Sequence, residues 1–96
     1  MNEHLAFAQC LQRVLNETEL TATEVARRLE MRSRNSIFRI LKGKTSPQLN
    51  RRFLENFHKQ MGEQLTEAQW AALNRALEMD AVGAVEYKSR QALMQL

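Results

Sequence analysis

Apolar residues recur at intervals of three and four along most of this chain, the spacing that places them on one face of a helix. The first stripe predicts a helix from Glu3 to about Asn16 and comprises Leu5, Ala8, Leu11 and Leu15. Two shorter stripes follow, one made of Val25, Ala26 and Leu29 and the other of Ile37, Ile40 and Leu41. A polar break at residues 31–33 separates them, and Lys42-Gly43 supplies the glycine that commonly ends a helix.

Three helix starts are marked by capping residues. Thr21 is followed three residues later by Glu24, and Thr66 by Gln69. Each pair has the spacing of a capping box, in which a hydroxyl and a longer polar side chain bond each other's backbone N–H groups. The second helix therefore begins after Thr21 and runs to about Glu30. Ser33 is the predicted N-cap of the third helix.

Two or three more helices are predicted in the second half. Pro47 suits the first turn of a fourth helix, which runs to about Gln60 with a buried stripe of Leu49, Phe53, Leu54 and Phe57. A fifth helix begins near Glu67 and ends near Met79-Asp80, with Trp70, Leu73 and Leu77 facing inward. We expect Gly83 to separate it from a last helix that begins at about Ala84, one bent helix being the alternative.

The composition agrees with these stripes. There are 13 Leu and 11 Ala against six Val plus Ile, so helix formers dominate and strand formers are scarce. We predict an all-α fold of five to six short helices. A chain of 96 residues has room for one core. Residues 1–62 and the helices within 63–96 are therefore expected to form one compact unit.

Several kinds of site are disfavoured by the sequence. The single Cys10 forms neither an internal disulfide nor a cysteine-based zinc site, and we expect it in the core. His4 and His58 have no ligand-spaced partner, so no metal or other cofactor is expected. No nucleophile–base pair or phosphate-binding loop indicates an enzyme. No apolar run is long enough for a membrane span, and we expect a cytoplasmic protein without membrane contact.

Charge is distributed unevenly along the chain. The total is +3, but residues 27–52 contain nine basic residues and the single acid Glu30, whereas residues 60–96 carry a net charge of −2. A basic segment on an otherwise mildly acidic domain is typical of nucleic-acid binding, the alternative being a merely solvated helical face.

The second and third predicted helices have the layout of a helix-turn-helix, with Ala26 in the first and Ile37 in the second. The stretch Ser36–Thr45, with Pro47 just after it, resembles the phage repressor and Cro (XRE) family of DNA-binding domains over about residues 7–60. The resemblance implies a lambda-repressor-like fold with extra C-terminal helices. One departure is that Ile37 follows Ala26 by eleven positions rather than ten. Another is that Glu30 replaces the customary turn glycine, so the turn is expected to be one residue longer.

The resemblance implies a transcriptional regulator, a repressor by expectation, that binds double-stranded DNA as a homodimer and associates with the nucleoid when bound. The recognition helix lies in the major groove with its N-terminal residues toward base edges. The predicted base contacts are Arg34, Asn35, Ser36 and Arg39. The predicted contacts to the DNA backbone are Ser33, Lys42, Lys44, Thr45, Arg51 and Arg52.

Other residues are open to two interpretations. Phe38 is expected in the core, the alternatives being a wedge between bases or a contact with a thymine methyl group. Arg27 and Arg28, like Arg51 and Arg52, either contact DNA or simply face solvent. We expect Trp70 to anchor the core.

The last predicted helix carries more apolar surface than a monomer should expose. The candidates for dimerisation are Val85, Ala92, Leu93 and Leu96. The alternatives are packing on the first helix or contact with a different protein. Two other functions remain open: a protein-interaction or RNA-binding module, and the DNA-targeting part of a larger or toxin–antitoxin or defence regulator.

Overall fold

A computed structural model describes the backbone of residues 5–94 and the side chains of these residues except Arg34 and 83–94. Within this range the chain is all-helical and has no strand, so the predicted all-α class is confirmed. The helices are α1 (Leu5–Glu17), α2 (Ala22–Arg28), α3 (Arg34–Leu41), α4 (Pro47–Met61) and α5 (Glu67–Met94), with a 3₁₀ turn at Gly62–Gln64.

The predicted helix starts are confirmed by their hydrogen bonds. The hydroxyl of Thr21 accepts from Glu24 N at 3.1 Å, and that of Ser33 accepts from Asn35 N at 3.2 Å. At α5 the full capping box forms: Thr66 Oγ1 accepts from Gln69 N at 3.1 Å, and Gln69 Oε1 accepts from Thr66 N at 2.8 Å. Local sequence therefore sets where these helices begin.

The first three helices end in the same way, with one residue in the left-handed conformation. That residue is Gly43 (φ 73°) after α3, as the sequence predicts, but Glu19 (φ 58°) after α1 and Glu30 (φ 53°) after α2. After α2 the N–H of Met31 donates to Ala26 O and that of Glu30 donates to Arg27 O. This is the Schellman pattern, which uses carbonyls that the helix end leaves unpaired.

One core joins the N-terminal and C-terminal parts of the chain. It contains the buried apolar residues of α1 to α4 together with Leu65, Trp70, Leu73, Ala76 and Leu77. Helix α5 packs against α1 and α4, and the rings of Phe57 and Trp70 meet edge to face at 5.0 Å. Cys10 and Trp70 are buried, as expected.

Three expectations about the helices are wrong. Helix α5 is continuous from Glu67 to Met94 and does not break at Gly83. A single glycine costs a helix only about 1 kcal/mol, and the alanines at positions 81 and 84 favour helix on both sides of this one. Leu49 is 52% exposed because the buried face of α4 passes through Asn50 instead, and Phe38 is 42% exposed.

A long-range contact fixes the start of α1. The buried carboxylate of Asp80 in α5 accepts hydrogen bonds from Ala6 N at 3.2 Å and Phe7 N at 3.0 Å. These N–H groups belong to the first turn of α1, where a helix has no acceptors of its own and favours negative charge. Asp80 therefore caps α1 from the other end of the chain.

No helix in the described part of the chain combines the length and the apolar character needed to cross a membrane.

Candidate nucleic-acid interface

Helix α3 has one buried side and one exposed side. Ile37 and Ile40 are buried in the core, and Leu41 packs partly against it. The opposite side exposes Asn35, Ser36, Phe38, Arg39 and Lys42. Positions 35, 38, 39 and 42 follow the i, i+3, i+4, i+7 spacing and share one helical face. The structure therefore presents a polar and basic face of α3, with Ser33 capping its first turn.

The turn before α3 explains the departure from the family pattern. Five residues, 29–33, separate α2 from α3. Glu30 occupies the left-handed position that a glycine would adopt without steric cost. Because Ser33 is the N-cap, Arg34 is the first residue of α3. The side chain of Arg34 itself lies outside the described residues.

A groove between α3 and α4 brings several predicted contact residues together. We call it the α3–α4 groove, and it has a volume of about 420 Å³. The predicted DNA contacts that line it are Ser36 and Arg39 from α3, Lys44 and Thr45 from the following loop, and Arg52 from α4. The backbone N–H of Lys44 donates to Arg39 O at 3.0 Å, which holds the loop against the end of α3.

Four other predicted residues lie outside this groove. Ser33, Asn35 and Arg51 are exposed but do not line it. Lys42 lines a second depression between α1, α2 and α3, which also contains Phe38. The side chain of Arg34 is not described, so its position relative to the groove is left open. The structure thus separates Arg51 from Arg52, as expected for neighbouring helical positions about 100° apart.

The basic residues differ in whether they are paired. Arg27 Nη2 and Arg28 Nε lie 2.7 and 3.0 Å from Glu24 Oε1. These two hydrogen bonds hold the pKa of the Glu24 carboxyl below its usual range, so it stays ionised near neutral pH. No such ion pair involves Arg39, Lys44 or Arg52 within the part of the chain that the structure describes. Their charge is therefore directed to solvent.

Asn50 belongs to the site, although the sequence patterns did not predict it. Its side chain is fully buried, and its Oδ1 accepts a hydrogen bond from the hydroxyl of Thr45. Its Nδ2 has no partner among the described residues. The signal was present in the sequence, because Asn50 stands three and four residues before Phe53 and Leu54, on the buried face of α4. Asn50 anchors the loop that carries Lys44 and Thr45.

Phe38 lies on the exposed face rather than in the core. It borders the second depression together with Gln12, Leu20 and Lys42. The core prediction is wrong because the buried arc of α3 is filled by Ile37, Ile40 and Leu41, and position 38 falls beyond its edge. The two alternatives, a wedge between bases and a contact with a thymine methyl group, stay predictions.

The predicted dimerisation residues lie outside the described range. The side chains of Val85, Ala92 and Leu93 are not described, and neither is any part of Leu96. Just before them, Met79 is 67% exposed and Val82 is 57% exposed. Within the described residues no group of histidine, cysteine or acidic side chains is arranged to hold a metal ion.

Comparisons with known proteins find no match for this chain among family models, curated proteins or solved structures.

Proposed function

We propose that this protein binds double-stranded DNA sequence-specifically, with α3 in the major groove, as a transcriptional repressor similar to the phage repressor and Cro family. The observation that carries the proposal is the exposed face of α3, which presents Asn35, Arg39 and Lys42. Beside Arg39, the α3–α4 groove adds Lys44 and Arg52, which make no ion pair among the described residues. A major groove about 12 Å wide admits one α-helix. A repressor of this kind would act in the cytoplasm, at the nucleoid.

Each residue has a role that its chemistry supports. Arg39 presents two donors to guanine O6 and N7, and Asn35 pairs with adenine N6 and N7. Arg34 and Ser36 complete the proposed base-contacting set, and Phe38 contributes an apolar edge for a thymine methyl group.

Backbone contacts would come from the residues around the helix. Lys42, Lys44, Arg51 and Arg52 would neutralise phosphates, and Ser33 retains a hydroxyl proton to donate. The hydroxyl proton of Thr45 is already donated to Asn50, so a phosphate contact from Thr45 would use its backbone N–H.

The first prediction concerns salt. Affinity for a duplex should fall steeply with salt because phosphate neutralisation releases counterions. The four phosphate-neutralising cations give a log–log slope of about −4 per protomer, and about −7 for a dimer on two half-sites. Selection from a random duplex pool identifies the preferred sequence, and fluorescence anisotropy measures the slope. Matched RNA and single-stranded probes are the controls. Equal affinity for RNA, or no enriched sequence, would contradict the proposal.

We further propose that the protein is a homodimer formed by the distal half of α5. Asp80 meets the start of α1, so residues 81–94 continue past α1 for about 21 Å at 1.5 Å per residue. Val82 is exposed at the beginning of this segment. A two-fold protein would read two half-sites one DNA turn apart.

The second prediction tests this arrangement. A chain that stops at Gly83 should sediment as a monomer, whereas the full chain should sediment as a dimer. The truncated chain should remain folded by circular dichroism because the core residues of α5 end before the deletion. If the shortened chain is still dimeric, or the full chain is monomeric at micromolar concentration, the distal half of α5 does not form the dimer.

A further inference from the structure

The α3–α4 groove has an apolar floor. Leu29, Ile40 and Phe53 lie at its base, each less than a tenth exposed, and Leu49 forms an exposed wall. A volume of about 420 Å³ is within the range of small-molecule sites. Apolar surface exposed beside basic residues is more than phosphate contact requires, because a phosphate has no apolar part to cover Leu49.

The rim of the groove carries only one sign of charge. Among the residues that the structure describes, Arg39, Lys44 and Arg52 line it, and no acidic side chain does. None of the three makes an ion pair within the described part of the chain. An occupant that matches both features has an anionic head and an apolar tail.

We infer that the α3–α4 groove binds a small amphiphilic carboxylate, with its chain on the floor and its carboxylate beside Arg39 and Arg52. Guanidinium groups suit this head because they form two parallel hydrogen bonds with a carboxylate. Leu49, exposed in the free protein, would be covered by the chain.

Occupancy of the groove has a consequence that rests on the proposed function. The carboxylate would engage Arg39, Lys44 and Arg52, which DNA binding also needs. A bound carboxylate and bound DNA would then exclude one another, and the ligand would release the protein from DNA. Such competition makes the groove an effector site that needs no conformational change.

Sodium decanoate is the probe that tests the inference, titrated into the full chain at neutral pH by calorimetry and by ¹⁵N-resolved NMR. We expect saturable binding about fifteenfold tighter than that of hexanoate, since decanoate has four more methylenes and each half-buried methylene contributes roughly a factor of two. Acetate and uncharged decanol should bind much more weakly. The shifted resonances should belong to Arg39, Lys44, Leu49 and Arg52.

Two exposed apolar residues provide a matched pair of variants. Leu49→Gln should weaken decanoate binding about three- to tenfold, whereas Met79→Gln, on a different helix, should leave it unchanged. Both side chains are more than half exposed, so neither change should unfold the protein. Equal effects of the two variants, shifts centred on Met79, or no saturable binding would overturn the inference.

The two proposals fail separately. Decanoate binding is measured without DNA, and DNA binding is measured without decanoate. Groove binding in a protein that binds no DNA would reject the proposed function and keep the ligand site. DNA binding that decanoate does not reduce, although decanoate occupies the groove, would reject the competition.

Discussion

Replacing Arg39 with alanine is expected to reduce the preference for the selected DNA sequence over a scrambled duplex by about fivefold to a hundredfold. A bidentate arginine–guanine contact contributes about 1–3 kcal/mol of discrimination against the wrong base. Arg39 is exposed on the side of α3 away from the core, so the loss should reflect recognition rather than folding. Anisotropy titrations of both duplexes at one fixed salt concentration measure it.

Lys44→Ala is the matched control for this variant. Lys44 lies just after α3 and also lines the groove, but its ammonium is a point charge suited to phosphate. Its loss should weaken both duplexes by a similar factor and reduce the salt slope by about one per protomer. If Arg39→Ala also weakens both duplexes equally, Arg39 contacts phosphate and does not read bases.

Asp80→Ala should destabilise the protein by about 2 kcal/mol, because two N–H groups at the start of α1 lose a charged acceptor. For a domain of this size, that corresponds to a fall in Tm of roughly 8–16 °C. Thermal unfolding followed by circular dichroism measures the change. The variant removes a contact between residues 73 and 74 positions apart, so it also reports how strongly α5 is coupled to α1.

Two variants separate this contact from a general effect of charge. Glu78→Ala removes an acid of the same helix whose side chain is exposed, and its Tm should change little. Asp80→Asn keeps one acceptor oxygen and should cost less than Asp80→Ala. A Tm for Asp80→Ala equal to that of Glu78→Ala would show that the capping contact contributes no stability.

Much of the fold follows from signals that act within a few residues. Thr21, Ser33 and Thr66 stand directly before helix N–H groups that have no backbone acceptor, and their hydroxyls accept from them. These helix starts could therefore be predicted. The C-terminal ends of the helices were harder to predict from the sequence. A glycine at position 43 predicts the left-handed residue after α3. Glu19 and Glu30 adopt the same conformation, although their residue type does not predict it. There the backbone hydrogen bonds of the Schellman pattern outweigh the preference for glycine.

The sequence by itself determined the helical class, the helix starts and the clustering of basic residues, because these depend on composition and on neighbours three or four positions apart. Only the tertiary structure decided which polar groups are paired across the chain. It placed the carboxylate of Asp80 at the start of α1 and the amide of Asn50 beside the hydroxyl of Thr45. It also brought Arg39 and Arg52 into one groove. Such pairings depend on how helices pack, and no local spacing encodes that. The exposure of Phe38 and Leu49 was decided in the same way, by where the buried arcs of α3 and α4 fall.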